Sequence, residues 1–228
     1  MDTNEKGEKM SPIQVEELYK QKYPNKRRGS VDLAIFNIIF TECERKVLDI
    51  GCGFGELLSA LKAFNFETTG IVLTEYETQA CLKKGLNVIK GDAGKELPFE
   101  NKEFETVLLI DSIEHIKEYE DTLKETLRVL KDGGKVLIYT PNREVFRKYN
   151  QYKEVDKVHI KEFTKQELKL LLTKTGFKNI RFINKKLYYP KYFFLRFLNE
   201  FMARKEEIYL CVIAEKRGKH QKRLGKNE

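Results

Sequence analysis

The sequence predicts an α/β fold built on a doubly wound, mostly parallel sheet, and three observations predict it. Apolar runs of strand length alternate with helix-length amphipathic segments from Lys46 to Thr175. The runs are near-continuously apolar, Thr106-Val107-Leu108-Leu109-Ile110 most clearly, as strands covered on both faces must be. The first run, Val47-Leu48-Asp49-Ile50, ends in a glycine turn, Gly51-Cys52-Gly53-Phe54-Gly55, that opens directly into Glu56-Leu57-Leu58-Ser59-Ala60-Leu61. Strand, tight turn and helix in that order hold a nucleotide-like ligand at the edge of a parallel sheet, because glycine lets backbone approach the ligand and the helix start offers unpaired N–H groups.

The elements follow in order. Residues 1–10 are polar and of mixed charge, which predicts disorder and argues against a secretory signal. Ser11-Pro12-Ile13-Gln14 has the capping residue, proline and glutamine of a helix start, and the helix is expected to stop before Pro24. A basic link, Asn25 to Gly29, leads to a second apolar helix over Ser30 to Thr41. Strands are expected at Lys46 to Ile50, Glu67 to Leu73, Asn87 to Lys90, Glu105 to Ile110 and Lys135 to Thr140. Helices are expected near Glu56 to Phe64, Glu75 to Lys84, Tyr119 to Leu130 and Lys165 to Thr175. Gly133-Gly134 and Gly176 read as helix stops. Two late strands, Phe177 to Asn184 and Ile208 to Ala214, flank an aromatic stretch beginning Tyr188-Tyr189-Pro190. These divisions predict N-terminal helices over 1–45, a main domain over 46–216 with a lid-like aromatic insertion at 188–206, and a loose basic tail at 217–228.

Composition narrows the function classes. With 228 residues and 41% apolar content the chain can bury a sizeable core. It has no apolar run long enough to span a bilayer, so stable membrane insertion is not expected. Cys43, Cys52, Cys81 and Cys211 are scattered without a C-x-x-C pair and read as reduced thiols of a cytoplasmic protein rather than a zinc site. A net charge of +8 permits an acidic partner, but the basic residues are spread along the chain.

The glycines at 51, 53 and 55 stand behind Asp49 as G-x-G-x-G, which is not the dinucleotide pattern. This segment resembles the first motif of the class I S-adenosylmethionine-dependent methyltransferases, where an acid ends the first strand. The resemblance extends over Lys46 to Phe177: Gly91-Asp92-Ala93, Leu97-Pro98-Phe99 before Phe104-Glu105-Thr106-Val107, Asp111-Ser112-Ile113-Glu114-His115-Ile116, Arg128 to Gly134, and Thr140-Pro141-Asn142. His159, Phe163-Thr164, Glu167-Leu168 and Gly176-Phe177 are similar to the ubiquinone-biosynthesis O-methyltransferase subgroup. Ala80 to Val88 is similar to the methionine-biosynthesis protein W group. The resemblance implies a Rossmann-like, seven-stranded sheet whose last strand is antiparallel. It implies S-adenosyl-L-methionine as cofactor, held by Asp49, Gly51, Cys52, Gly53 and Gly55, by Val72 at the end of the second strand, by Asp92 and Ala93 near the adenine, and by Asp111. The family's ribose-binding acid at the end of the second strand is replaced here by Val72, and Glu75 or Glu77 lies close enough to substitute.

Asp111, Glu114 and His115 have i, i+3, i+4 spacing and would share a face if a helical turn began there. With His159 they form an oxygen-and-nitrogen set suited to magnesium or manganese. That set resembles the metal site of small-RNA ribose methyltransferases and of the ubiquinone type. The competing account makes His115 or His159 a general base, or has His115 pack under the cofactor. The expected activity is methyl transfer to a small-molecule acceptor, most readily at oxygen. A metal-dependent RNA ribose methyltransferase is the alternative enzyme, and a cofactor-binding accessory protein without transferase activity the alternative class. The acceptor's identity and the oligomeric state are not encoded in these motifs.

Overall fold

The computed structural model describes residues 32–145, 159–184 and 208–218. The expected helix over Ser11 to Lys22 and the aromatic insertion at 188–206 lie outside the described residues. A seven-stranded sheet runs through the molecule with spatial order β3-β2-β1-β4-β5-β7-β6. Its strands are β1 (Lys46–Ile50), β2 (Glu67–Val72), β3 (Val88–Lys90), β4 (Phe104–Ile110), β5 (Leu130–Pro141), β6 (Lys178–Phe182) and β7 (Tyr209–Glu215). Pairings from β3 through β5 are parallel, and β7 is inserted antiparallel between β5 and β6. The α-helices that accompany them among the described residues include α1 (Leu33–Glu42), α2 (Glu56–Ala63), α3 (Glu75–Lys83), α4 (Tyr119–Val129) and α5 (Lys165–Thr175).

Alternation along the central strands sorts the core into two layers, which is what makes the sheet doubly wound. Val107 and Leu109 face one side with Leu123 of α4 and Leu168 and Leu172 of α5. Leu108 faces the other side with Phe36 and Ile39 of α1 and Leu61 of α2. Helix α1 falls in the segment set apart as 1–45, yet it shares this second layer with Val47 of β1 and Ile213 of β7. Asp32 caps it by accepting a hydrogen bond from Ala34 N at 2.8 Å.

Two local expectations are corrected. Gly133-Gly134 does not stop a helix: α4 ends at Val129, where Leu130 is already extended, and both glycines lie inside β5. The strand starts five residues early because Leu130 pairs with Phe104 and Gly133 N donates to the Lys216 carbonyl at 3.0 Å. Gly176 does end α5, in the left-handed conformation at φ 113°. Arg128, read only as part of a motif, has a structural task. Its guanidinium bonds the Glu125 carboxylate and the carbonyls of Leu97 and Phe99 at 2.7–2.8 Å, fastening the Leu97-Pro98-Phe99 loop to α4.

Candidate functional site

A cavity of about 360 Å³ opens at the carboxyl ends of β1 to β4, where open α/β sheets bind ligands. The loop after β1 supplies Gly51 and Gly53; the end of β2 supplies Val72, Leu73 and, from α3, Glu77. Asp92 and Ala93 come from the loop after β3, and Asp111, Ser112 and His115 from the loop after β4. Ile160 closes the rim. Leu73 and Ile160 are 66% and 57% exposed, an apolar cost that a bound ligand would offset.

The three motif glycines do different work. Gly53 has φ 52°, and no atom lies within 4 Å of where a Cβ would stand, so its empty side is open to a ligand. A Cβ on Gly51 would meet Ser112 Cβ at 2.7 Å, so this glycine lets the loops after β1 and β4 touch. On Gly55 it would meet Leu86 Cδ1 at 2.4 Å, which is a packing contact beneath α2. Of the residues expected to hold the cofactor, Asp49, Cys52 and Gly55 do not line the cavity. Asp49 lies in β1 under the glycine loop and is 2% exposed; burial pushes its carboxyl up to about 7. Cys52 is buried in a small cluster with Leu58 and Cys81, and burial raises its thiol strongly.

At the β2 end the two glutamates separate. Glu75 turns away to Lys90 Nζ at 3.4 Å and Gln79 Nε2 at 2.8 Å and is not part of the cavity wall. Glu77 lines the cavity, and its carboxylate accepts from the Thr74 hydroxyl at 2.6 Å while Thr74 Oγ1 accepts from Glu77 N at 3.2 Å. The capping arrangement of α3 therefore folds Glu77 back toward the loop.

After β4 the chain turns sharply at Asp111, a non-glycine residue with φ 48° whose N–H donates to the Tyr139 carbonyl at 2.8 Å. Only then does a short 3₁₀ turn, Ile113–His115, begin. Asp111 is thus not on a shared helical face with Glu114 and His115, and it does not join their cluster. Glu114, His115 and His159 do come together: one potential ligand atom from each lies within 4.8 Å of the others. The His115 and His159 rings meet at 5.0 Å between centroids. Glu114 is buried, its carboxyl raised by desolvation, and it accepts the Thr140 hydroxyl at 2.9 Å. His159 reaches the site from far along the chain because Ile160 N and Lys161 N both donate to the Glu114 carbonyl, at 2.8 and 3.1 Å.

Sequence reasoning did not nominate two further residues. Ser112 Oγ, in the cavity wall, is buried without a hydrogen-bond partner. Glu162, buried, lies 3.1 Å from His159 Nδ1 through Oε1.

Comparison with known proteins places these features. A family model described as a methyltransferase domain matches residues 16–181. The chain is 31% identical over 121 residues to a sterol 4-C-methyltransferase of Caenorhabditis elegans, covering 50% of this chain and 35% of that protein. It is 32% identical over 108 residues to the ubiquinone biosynthesis O-methyltransferase of Pseudomonas fluorescens, covering 43% of this chain and 45% of that one. The match thus spans less than half the length of either relative. Among solved structures, an S-adenosylmethionine-dependent methyltransferase from Archaeoglobus fulgidus superposes with a TM-score of 0.62 at 24% identity, over 88% of this chain and 99% of that one. That likeness shows the fold. With the family model running over β1 to β5 and the cavity, the chain belongs to the methyltransferase-domain family and shares the fold of that S-adenosylmethionine-dependent enzyme.

Proposed function

We propose that this protein transfers a methyl group from S-adenosylmethionine to an oxygen atom of a small-molecule acceptor. The observation that carries this reading is the cavity itself, whose wall includes both the open face of Gly53 and His115. The residues present fit the cofactor. Gly53 leaves room for close backbone approach, Ser112 Oγ is an orphaned hydroxyl in the wall, and Glu77 is a carboxylate placed to accept from ribose hydroxyls in the absence of an acid at Val72. Asp92 and Ala93 border the adenine end on this reading, and Asp111 the amino-acid end. Asp49, Cys52 and Gly55 act from beneath, by shaping and charging the loop. When bound, the cofactor supplies a sulfonium methyl group, electrophilic without further activation. What the chain must add is alignment, exclusion of water and a place for the acceptor's proton. His115 and His159 provide that place. The imidazole pair supports an oxygen acceptor, whose hydroxyl loses a proton as it attacks.

A second reading is favoured by the grouping of Glu114, His115 and His159. The spread of their ligand atoms, up to 4.8 Å, is only slightly wider than the ~4.2 Å between opposite ligands of an ion with bonds of ~2.1 Å. Two imidazoles and a carboxylate suit manganese or magnesium, and an ion there would acidify an acceptor hydroxyl. Asp111 is outside that set.

Calorimetry with S-adenosylhomocysteine tests the cofactor; absence of a heat signal at saturating ligand would refute the assignment. Incubation with methyl-labelled cofactor and a panel of catechols, carboxylic acids and an oligoribonucleotide, read by mass spectrometry, tests the acceptor. Label entering only the oligoribonucleotide would transfer the assignment to RNA, and cofactor binding without label in any acceptor would favour the accessory role. Chelator separates the two chemistries: turnover lost and restored by manganese supports the ion, while indifference supports a histidine base.

A further inference from the structure

We propose that Glu162 is a positioning residue that fixes the tautomer of His159. The proposal rests on His159 belonging to the reactive end of the site, but the tautomer can be read without turnover. Glu162 Oε1 and His159 Nδ1 are 3.1 Å apart, with side chains only 3% and 9% exposed. A carboxylate only accepts, so Nδ1 carries the hydrogen, and the ring exchanges a proton or takes an ion through Nε2. An imidazole in water prefers the opposite tautomer, so the dry carboxylate contact selects the less common form.

The backbone holds the pair in place. At one end, Ile160 N and Lys161 N are bonded to the Glu114 carbonyl. At the other, Arg143 N donates to the Phe163 carbonyl at 2.9 Å, and the next residue, Thr164, caps α5 in a reciprocal box with Glu167. Between these anchors Glu162 stands three residues after His159, close enough for its carboxylate to reach the ring. On the other side of the cluster, the Thr140 hydroxyl orients Glu114. A carboxylate that locks one imidazole nitrogen so that the other can act is the device of hydrolase triads and of metal-bound histidines alike. Glu162 therefore serves His159 under either chemistry, as base or as ligand.

Nitrogen-15 NMR of the imidazoles tests this, and only three histidines need assignment. At about pH 8, where an ordinary imidazole is neutral, wild-type His159 is expected to carry its hydrogen on Nδ1. Glu162→Gln releases that constraint, because its amide can accept from Nδ1–H or donate to a bare Nδ1. Glu162→Leu moves the hydrogen to Nε2, while S-adenosylhomocysteine affinity in both variants stays within about twofold of wild type. A wild-type His159 with its hydrogen on Nε2, or an unchanged tautomer in a folded Glu162→Leu, overturns the proposal. Should Glu162→Leu not fold, the wild-type spectrum still decides. A wild type that binds no cofactor but shows the Nδ1 tautomer supports this proposal while defeating the functional reading.

Discussion

Substituting Asp49 by Asn removes a buried carboxyl whose large shift ties folding to pH. Burial raises the Asp49 pKa from 3.8 to about 7. An acid whose folded pKa lies above its unfolded value keeps its proton more tightly when folded. Its favourable contribution is therefore fully present below about pH 3.8 and is lost as the pH rises through about 7. Three units at about 1.4 kcal/mol each set a ceiling near 4 kcal/mol, of which about 2.3 kcal/mol falls between pH 5 and 7. Asn keeps the shape and cannot ionise, so any constant penalty from its amide leaves the pH dependence untouched. Urea denaturation followed by circular dichroism, since the chain has no tryptophan, should show wild type losing about 2–3 kcal/mol relative to Asp49→Asn over that interval. The difference should level off below about pH 4 and above about pH 8. A difference that stays constant within about 0.5 kcal/mol from pH 4 to 8 refutes the argument. Saturating S-adenosylhomocysteine should flatten the curve if, as proposed, its amino-acid end lies by the glycine loop, where an ammonium group would favour the charged carboxylate.

Three other substitutions divide structural from ligand-facing roles. Gly53→Ala should fold at a cost of about 1–2 kcal/mol for its left-handed backbone, yet weaken S-adenosylhomocysteine at least about tenfold by calorimetry. Gly51→Ala should instead lower the melting temperature more than Gly53→Ala, because its methyl group meets Ser112. Glu77→Gln should weaken cofactor binding by about 1 kcal/mol or more, whereas Glu75→Gln, paired with Lys90, should leave the dissociation constant unchanged. Arg128→Lys should destabilise the fold by about 1–3 kcal/mol in urea, since one ammonium cannot replace bonds to a carboxylate and two carbonyls.

The fold was legible because strand and helix periods differ and the chain keeps them apart. Thr106-Val107-Leu108-Leu109-Ile110 reads as a strand buried on both faces, and its side chains do divide between the two helical layers. The antiparallel seventh strand came only from resemblance: nothing in Ile208 to Ala214 by itself states its direction. The start of β5 was misread because Gly133-Gly134 looks like a helix stop, whereas pairing from β4 and from Lys216 on the other side carries the strand through it. Tertiary hydrogen bonds decided that boundary, and they leave no local mark.

The site was legible where function depends on backbone, and less so where it depends on side-chain direction. The glycine turn announced the cavity, but it did not announce that Gly53 faces the ligand space while Gly51 and Gly55 face protein. Equal spacing suggested that Asp111 belongs with Glu114 and His115; the left-handed turn at Asp111 breaks the helical phase that spacing assumes. Glu77 had a readable signal: Thr74 followed three residues later by Glu is the sequence pattern of a capped helix start, and here the Thr74 hydroxyl holds that carboxylate back toward the helix start while Glu75 pairs with Lys90. Glu162 had a fainter one, a carboxylate three residues from His159, whose meaning requires knowing that this segment is bonded to the Glu114 carbonyl in the turn after β4. His159 and Glu114 are close because two amides of a loop found one carbonyl, and any chemistry they share is set by that backbone contact before the side chains contribute.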